Sequence, residues 1–291
     1  MGQNHPILHT PVLVNEVVRE LDIQPNDVVL DATLGWGGHA KALLANHPKH
    51  YIGLDRDPEA ISHCRHTLPN IQVIESRFSE WALHITDPPN KVLADLGMSS
   101  IQLDSPHRGF SYLNEAPLDM RMGQTDESAS DWINSQSFEV LSNAFYEYGQ
   151  LIHNRRLVEN ILCRRRSHPI QTTTELVQLI KQSYRFTSRQ HMMKVFSQVF
   201  QSIRMAINNE MGELNIFLNS ISQAMPVNGK IAIITFHSGE DRVVKRFFKS
   251  SPLLQPIKPD CIKPTQVEIQ SNRRAKSALL RVATRVNELS T

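Results

Sequence analysis

The spacing of apolar and polar residues changes several times along this chain, and each change marks a predicted element. Short apolar runs that predict strands occupy residues 28–31, 51–55, 71–75, 91–95, 230–236 and 277–283. Segments with the helical period cover residues 11–22, 38–47, 57–67 and 209–225. Near-continuous apolar strands that alternate with helices are typical of a parallel sheet covered on both faces.

The region between the fourth and fifth predicted strands has no strand pattern. Residues 128–205 have helical periodicity instead, with turns around His168-Pro169 and Ser188-Arg189. We therefore predict an α/β protein in which an all-helical subdomain is inserted into a doubly wound, Rossmann-like core. The predicted limits are residues 1–105 and 206–291 for the core and 106–205 for the insertion.

Composition excludes several classes of protein. Apolar residues make up 40% of the 291 residues and charged residues 21%, which argues against disorder. The longest apolar runs have about six residues, as in Ile231–Phe236, whereas a membrane span needs about 20. Three widely separated cysteines fit neither a disulfide framework nor a zinc site, and the first residues lack a signal-peptide pattern. We expect a soluble, cytoplasmic protein without a metal.

The overall charge is nearly balanced, but basic residues are concentrated in two segments. Residues 148–205 contain ten basic and two acidic side chains, and residues 242–291 contain eleven and three. Each segment thus has a net charge of +8, while the net charge of the whole chain is +2. Such segregation is typical of a protein that binds a polyanion, although solvated helix faces can produce it as well.

A glycine-rich segment, Gly35-Trp36-Gly37-Gly38-His39, joins the first strand to the next helix. Glycines permit a tight turn, and a helix N-terminus favours an anionic group of a ligand. Asp55 ends the following strand, where its carboxylate can accept hydrogen bonds from a ribose. Gly35-x-Gly37-x-x-Ala40 also satisfies a dinucleotide fingerprint, so NAD stays open. Asp31 ends the first strand and suits the cationic amino group of S-adenosylmethionine.

Longer stretches carry a specific resemblance. They are His9-Thr10-Pro11-Val12-Leu13, Asp95-Leu96-Gly97-Met98-Ser99-Ser100-Ile101-Gln102-Leu103-Asp104, Arg108-Gly109-Phe110-Ser111, Pro117-Leu118-Asp119-Met120-Arg121-Met122, residues 200–210, Phe236-His237-Ser238-Gly239-Glu240-Asp241-Arg242 and residues 272–283. From residue 9 to about 285, the chain resembles the MraW family of ribosomal RNA small subunit methyltransferases. It departs from the family pattern at Trp36, where Gly or Arg is frequent, and at Gly239, where Leu is usual.

The resemblance implies a class I methyltransferase core and S-adenosylmethionine-dependent N4-methylation of a cytidine in the decoding region of bacterial 16S rRNA. The implied partner is small-subunit rRNA or the 30S subunit, and a homodimer stays open. The implied cofactor contacts are Gly37, Gly38, His39, Asp55, Phe78, Asp95 and Gln102.

For the chemistry, we expect Asp95 to accept a hydrogen bond from the target amine, with Ser99 and Ser100 beside it and His237 completing the pocket. A sulfonium is already a good leaving group, so no metal is needed. The candidate phosphate contacts are Arg164, Arg165, Arg166, Arg189, Lys194, Arg204 and the basic C-terminal segment. The alternatives are a non-catalytic RNA-binding relative, a NAD-dependent oxidoreductase, and a methyltransferase that acts on DNA or a small molecule.

Overall fold

The structure is a computed structural model that describes residues 11–123 and 127–287, with only the backbone of Ser100. His9 and Thr10 of the first family stretch, the first residues of the chain and the predicted outer domain limits lie outside these residues. The chain divides into two compact units, Met1–Gly97 with Met211–Thr291, and Met98–Glu210. The second unit interrupts the first in sequence, a few residues outside the predicted range of 106–205.

The first unit contains a sheet of seven strands among the described residues. The strands are β1 (Val28–Asp31), β2 (His50–Asp55), β3 (Gln72–Glu75), β4 (Lys91–Asp95), β5 (Lys230–Thr235), β6 (Leu254–Pro256) and β7 (Leu279–Arg285). Their order is β3-β2-β1-β4-β5-β7-β6. Strands β1 to β5 are parallel, and β7 pairs antiparallel with both β5 and β6. The predicted Rossmann-like α/β fold is confirmed.

The described helices, in chain order, are α1 (Val14–Leu21), α2 (Gly38–Leu44), α3 (Pro58–Thr67), α4 (Ser100–Asp104), α5 (Ala129–Ser135), α6 (Phe138–Glu147), α7 (Arg155–Ser167), α8 (Thr173–Ser183), α9 (Arg189–Ile207), α10 (Glu210–Ala224), α11 (Ser238–Ser250) and α12 (Gln266–Ser271). Short 3₁₀ turns cover Phe78–Leu83, Pro106–Arg108 and Arg273–Ser277. In the described part of the chain, no helix is both long and apolar enough to cross a membrane.

Several elements differ from the sequence predictions, and helices α4, α11 and α12 were not predicted. The helix predicted over 38–47 ends at Leu44, and His47 adopts a left-handed φ of 51° that a helix does not contain. The last strand begins at Leu279 rather than residue 277, because the preceding residues form a 3₁₀ turn. Strand β6 was not predicted, since three residues are too few to establish an alternation.

The sheet is covered on both faces because neighbouring strand residues point to opposite sides. Val29 and Leu93 pack in one apolar cluster, which includes residues of α1 and α2. Leu30 and Val92 pack in another, which includes residues of α10 and α11. Since the carboxyl ends of parallel strands meet at one edge, this arrangement collects the strand-end polar residues there.

The second unit is helical and has a core of its own. Residues of α5 to α9 form one apolar cluster that includes Phe145, Ile161 and Ile180. Four of these helices begin at a side chain that accepts a backbone N–H, as sequence rules for helix starts require; the caps are Ser128, Ser137, Thr172 and Ser188.

Candidate functional site

The glycine-rich loop after β1 has a backbone shape that only glycine adopts readily. Gly35 and Gly37 have φ values of 51° and 75°. A Cβ at Gly37 would lie 2.6 Å from the Leu68 side chain. The carboxylate of Asp55 holds the loop, because its Oδ2 accepts from Gly35 N at 2.7 Å and its Oδ1 from Asp57 N at 2.8 Å. The hydrogen bond between Asp55 and Gly35 therefore joins the end of β2 to the glycine-rich loop.

Two sequence departures lie beside this edge of the sheet. The ring of Trp36 packs against His63 of α3, with 4.6 Å between ring centroids. Gly239 lies in the first turn of α11, and a Cβ there would be 3.0 Å from Nδ1 of His237. A side chain at position 239 would thus crowd the ring that begins this helix.

A residue that contacts a ligand is expected to be accessible, but Asp31 is not. Its side chain is buried, with 1% of the residue exposed. Its Oδ2 accepts from the Tyr51 hydroxyl at 2.9 Å and its Oδ1 from Thr33 N at 3.3 Å. Burial raises the pKa of this carboxyl to about 6. The structure therefore assigns Asp31 to the support beneath the loop.

His39 is held by the segment that precedes α1. Its Nε2 lies 2.9 Å from the carbonyl oxygen of Val12, which can only accept, so Nε2 carries the proton. Burial lowers the pKa of the ring, which leaves Nδ1 as an unprotonated acceptor near neutral pH. That Nδ1 lies 3.7 Å from Oδ2 of Asp95. Glu268 of α12 fixes the same segment by accepting from Leu13 N at 2.7 Å.

Asp95 ends β4 with a carboxyl group that lacks a donor. Its backbone N–H is held by Oγ1 of Thr33 at 2.6 Å. Its Oδ1 is buried, and no described residue donates a hydrogen bond to it. Burial first, and then the nearby carboxylate of Glu240, raise the pKa of Asp95 to about 8. A buried oxygen without a donor is the kind of atom that a ligand N–H or O–H would satisfy.

His237 forms the start of α11. Its Nδ1 accepts from the backbone N–H groups of Gly239 and Glu240 at 3.2 and 3.3 Å. The proton therefore resides on Nε2, which faces Oε1 of Glu240 at 3.0 Å. The other oxygen of Glu240 accepts from Phe236 N at 2.8 Å. His237 is thus brought to the edge that carries Asp95, with Nδ1 engaged by its own helix and the buried Nε2 without a hydrogen-bond partner among the described residues.

Phe78 follows β3 and is positioned by α10. Its ring meets Phe217 edge to face, with 5.3 Å between centroids. The buried carboxylate of Glu213, one turn earlier on α10, accepts from Arg77 at 3.2 Å and from the Ser79 hydroxyl. Both sequence neighbours of Phe78 are therefore tied to the helix that packs against its ring.

We expect Glu213→Gln to weaken S-adenosylhomocysteine binding about three- to tenfold, because losing the charge frees Arg77 and loosens the residues around Phe78. Asp27→Asn is the matched control, since Asp27 is another buried acid that is paired with a cation, Lys91 at 3.6 Å, and it precedes β1, at the edge of the sheet opposite the strand ends. Calorimetry measures the affinity and thermal unfolding the stability of each variant. Equal affinity losses in the two variants would contradict a specific role of Glu213.

Ser99, Ser100 and Gln102 belong to the second unit, at the start of α4. Ser99 and Gln102 form a capping box, in which Gln102 N donates to Ser99 Oγ at 3.1 Å and Ser99 N donates to Gln102 Oε1 at 2.9 Å. The side chain of Ser100 lies outside the described part of the chain. The cap fixes the first turn of α4, and the ligand roles of these three residues stay predictions.

Several arginines expected to contact phosphates are used inside the second unit. Arg164 pairs with Glu175 at 3.3 Å, and Arg204, whose side chain is 10% exposed, pairs with Glu210 at 2.7 Å. Arg165 donates to two carbonyl oxygens that end α5 and the turn after it, those of Ile133 and Gln136. The exposed members of the predicted set within this unit are Arg166, Arg189 and Lys194.

Sequence reasoning missed residues that act through others at this site. Glu240 lies in a stretch that resembles the family and Thr33 lies in the glycine-rich loop, but neither pattern predicts a role for these side chains. Glu213 had no signal at all, because an acid in a helical pattern is usually a solvated residue. Among the described residues, no three His, Cys, Asp or Glu side chains are arranged to hold a metal ion.

The raised pKa of Asp95 predicts a pH-dependent stability. The folded protein keeps this proton up to about pH 8, whereas the unfolded chain loses it near pH 4. Stability therefore falls as pH rises between these values, by at most about 1.4 kcal/mol per pH unit. We expect Asp95→Asn to lack this fall. In urea unfolding from pH 5 to 8.5, the free energy of unfolding of the variant should therefore rise relative to that of the parent. A pH-independent difference would contradict a buried, protonated Asp95.

Comparison with known proteins adds a family match over nearly the whole chain. Residues 6–286 match the model of the MraW methylase family. A relative from Deinococcus radiodurans is 39% identical over 283 residues, which cover 95% of this chain and 89% of the relative. One from Crocosphaera subtropica is 40% identical over 291 residues, which cover 97% of this chain and 90% of the relative. Both relatives are called ribosomal RNA small subunit methyltransferase H.

Proposed function

The chain belongs to the MraW methylase family, and from this premise we propose that it methylates N4 of a cytidine in the decoding region of 16S rRNA. The coarser activity, S-adenosylmethionine-dependent methylation of small-subunit rRNA, follows from the family and its named relatives. The observation that carries the finer proposal is the buried, donor-free Oδ1 of Asp95 at the end of β4.

The residues at this edge fit S-adenosylmethionine. The Cβ position of Gly35 is open, with the nearest atom, the carbonyl oxygen of Thr33, 3.9 Å away, so a ligand can approach the backbone there, and the N-terminus of α2 suits a carboxylate. Asp55 stands at the end of β2, where a ribose binds in Rossmann-like folds, and the ring of Phe78 offers an apolar face for adenine. The oxidoreductase alternative rests on the Gly35-x-Gly37-x-x-Ala40 fingerprint alone, and family membership argues against it.

Bound S-adenosylmethionine would supply a methyl group on a sulfonium leaving group. The exocyclic amine of cytosine is a weak nucleophile, because its lone pair is conjugated with the ring. Oδ1 of Asp95 would accept an N–H of that amine and so direct its lone pair. Thr33 holds the Asp95 backbone in place for this task. His237, whose tautomer is fixed by the helix start, and Glu240 form the neighbouring wall.

A direct test supplies tritiated cofactor and 30S subunits that lack the methyl mark. We expect one methyl group per subunit, and digestion with mass spectrometry should identify N4-methylcytidine. Naked 16S rRNA in a parallel reaction distinguishes free RNA from the assembled subunit as substrate. Label on another base atom would overturn the N4 assignment, and cofactor binding without any transfer would favour the non-catalytic relative.

A further inference from the structure

Helix α11 carries a line of basic side chains on its exposed face. We name Arg242, Lys245, Arg246 and Lys249 the α11 stripe; all four are exposed. Their spacing of three, one and three residues keeps them within about 100° of the helix surface. No described residue forms a hydrogen bond or ion pair with Arg242, Lys245 or Arg246, whereas Lys249 lies 3.5 Å from Asp260.

The acidic residues of the same helix do not neutralise this stripe. Glu240 is buried beside His237. Asp241 is paired with the buried Arg281 of β7, at 2.6 and 3.0 Å to the two carboxylate oxygens. The stripe therefore presents a concentrated positive charge to solvent.

The opposite face of α11 is already committed to the core. Val244 and Phe248 are buried in the apolar cluster of the sheet, and α11 contributes no exposed large apolar side chain. A helix that lies on a membrane needs an apolar face to insert, which α11 lacks. A hydrated polyanion fits such a surface better.

The stripe also begins beside the site within the same unit. Helix α11 starts directly after His237, and Arg242 follows Glu240 by two residues. At 1.5 Å of rise per residue, the stripe extends about 10 Å along the helix from Arg242 to Lys249. A target base that reaches Asp95 must leave its helical stack. The phosphates on either side of that nucleotide then lie close enough to Asp95 to contact a stripe that extends about 10 Å from Arg242.

We propose that the α11 stripe binds RNA phosphates next to the target nucleotide, an inference that rests on the proposed function. The stripe, rather than the Arg164–Arg166 cluster, then supplies sequence-independent affinity near the reacting base. Arg242, Lys245 and Arg246 have no partner among the described residues, whereas Arg164 and Arg165 are held by contacts inside the second unit.

The test is a triple variant, Arg242→Gln, Lys245→Gln and Arg246→Gln, with 30S subunits as the probe. We expect affinity at 0.15 M salt to fall at least about tenfold, and the slope of log K against log salt to decrease by about two, since each phosphate contact contributes about 0.7 to 0.9. S-adenosylhomocysteine affinity should not change.

The matched control removes the same charge elsewhere in the first unit, by Arg19→Gln, Lys49→Gln and Arg65→Gln. These exposed residues lie in or beside α1, β2 and α3, away from the strand ends that carry the site. Equal affinity for 30S subunits and equal salt slopes in the two triple variants would overturn the proposal. So would a stripe variant that loses affinity for anionic vesicles but not for 30S subunits. Failure of the parent protein to methylate 30S subunits would instead refute the proposed function.

Discussion

Asp95→Ala is expected to lower the single-turnover rate of methyl transfer at least about 100-fold, the loss typical of one preorganised electrostatic contact. The reason is specific to this carboxyl, because its Oδ1 is buried and has no donor among the described residues. A contact that strengthens in the transition state should lower kcat more than it changes KM. Rapid-quench measurements at saturating cofactor and 30S subunits give the rate.

Asp95→Asn tests whether an acceptor oxygen at position 95 is sufficient without the ionisable carboxyl group. The amide keeps one acceptor oxygen, so we expect a smaller loss of rate than with alanine. Cofactor affinity must be measured in both variants, because the family resemblance also places Asp95 beside the cofactor. If Asp95→Ala reacts within threefold of the parent rate, Asp95 is not the acceptor, and Ser99, Ser100 and His237 become the next residues to vary.

Asp55→Ala should weaken S-adenosylmethionine binding about 10- to 150-fold, which corresponds to about 1.5–3 kcal/mol for hydrogen bonds to a charged group. The structure adds a second cause besides a lost ribose contact. The carboxylate also accepts from Gly35 N and Asp57 N, so its removal leaves two backbone donors without their acceptor. Calorimetric titration measures the affinity, and thermal unfolding shows how much stability is lost with it.

Asp55→Asn distinguishes these two causes. The amide oxygen can still accept from Gly35 N and hold the loop, whereas the amide nitrogen can accept neither from Asp57 N nor from a ribose hydroxyl. We therefore expect a smaller loss of stability than with alanine, with most of the affinity loss retained. Parent-like affinity in both variants would remove Asp55 from the cofactor site.

The sequence was sufficient to place the strand ends. A buried strand needs several consecutive apolar residues, so a run such as Val28-Val29-Leu30 that stops at an acid shows where the strand leaves the core. Parallel pairing then brings Asp31, Asp55 and Asp95 to one edge without any knowledge of their contacts. The turn predicted at Ser188-Arg189 lies where the Ser188 side chain caps the start of α9.

The sequence could not tell which of these acids is accessible. Asp31 and Asp95 both end parallel strands, yet Asp31 is held by Tyr51, 20 residues away, while Oδ1 of Asp95 has no described donor. The sequence pattern, an apolar run that ends in an aspartate, is the same for Asp31 and Asp95. What differs is the neighbour on the adjoining strand, and that depends on packing between segments.

Only the tertiary structure determined the protonation of Asp95 and which basic side chains are paired with acids and which are exposed. Burial, and after it the charge of Glu240, raise the pKa of Asp95, and Glu213 accepts a hydrogen bond from Ser79, 134 positions away in sequence. Among the arginines, Arg164 and Arg204 are paired with acids, while Arg242 and Arg246 are exposed. Periodicity reports only whether a residue lies on a buried or an exposed face. Burial of a charge and the partner it meets depend on chain segments far apart in sequence, which the fold alone brings together.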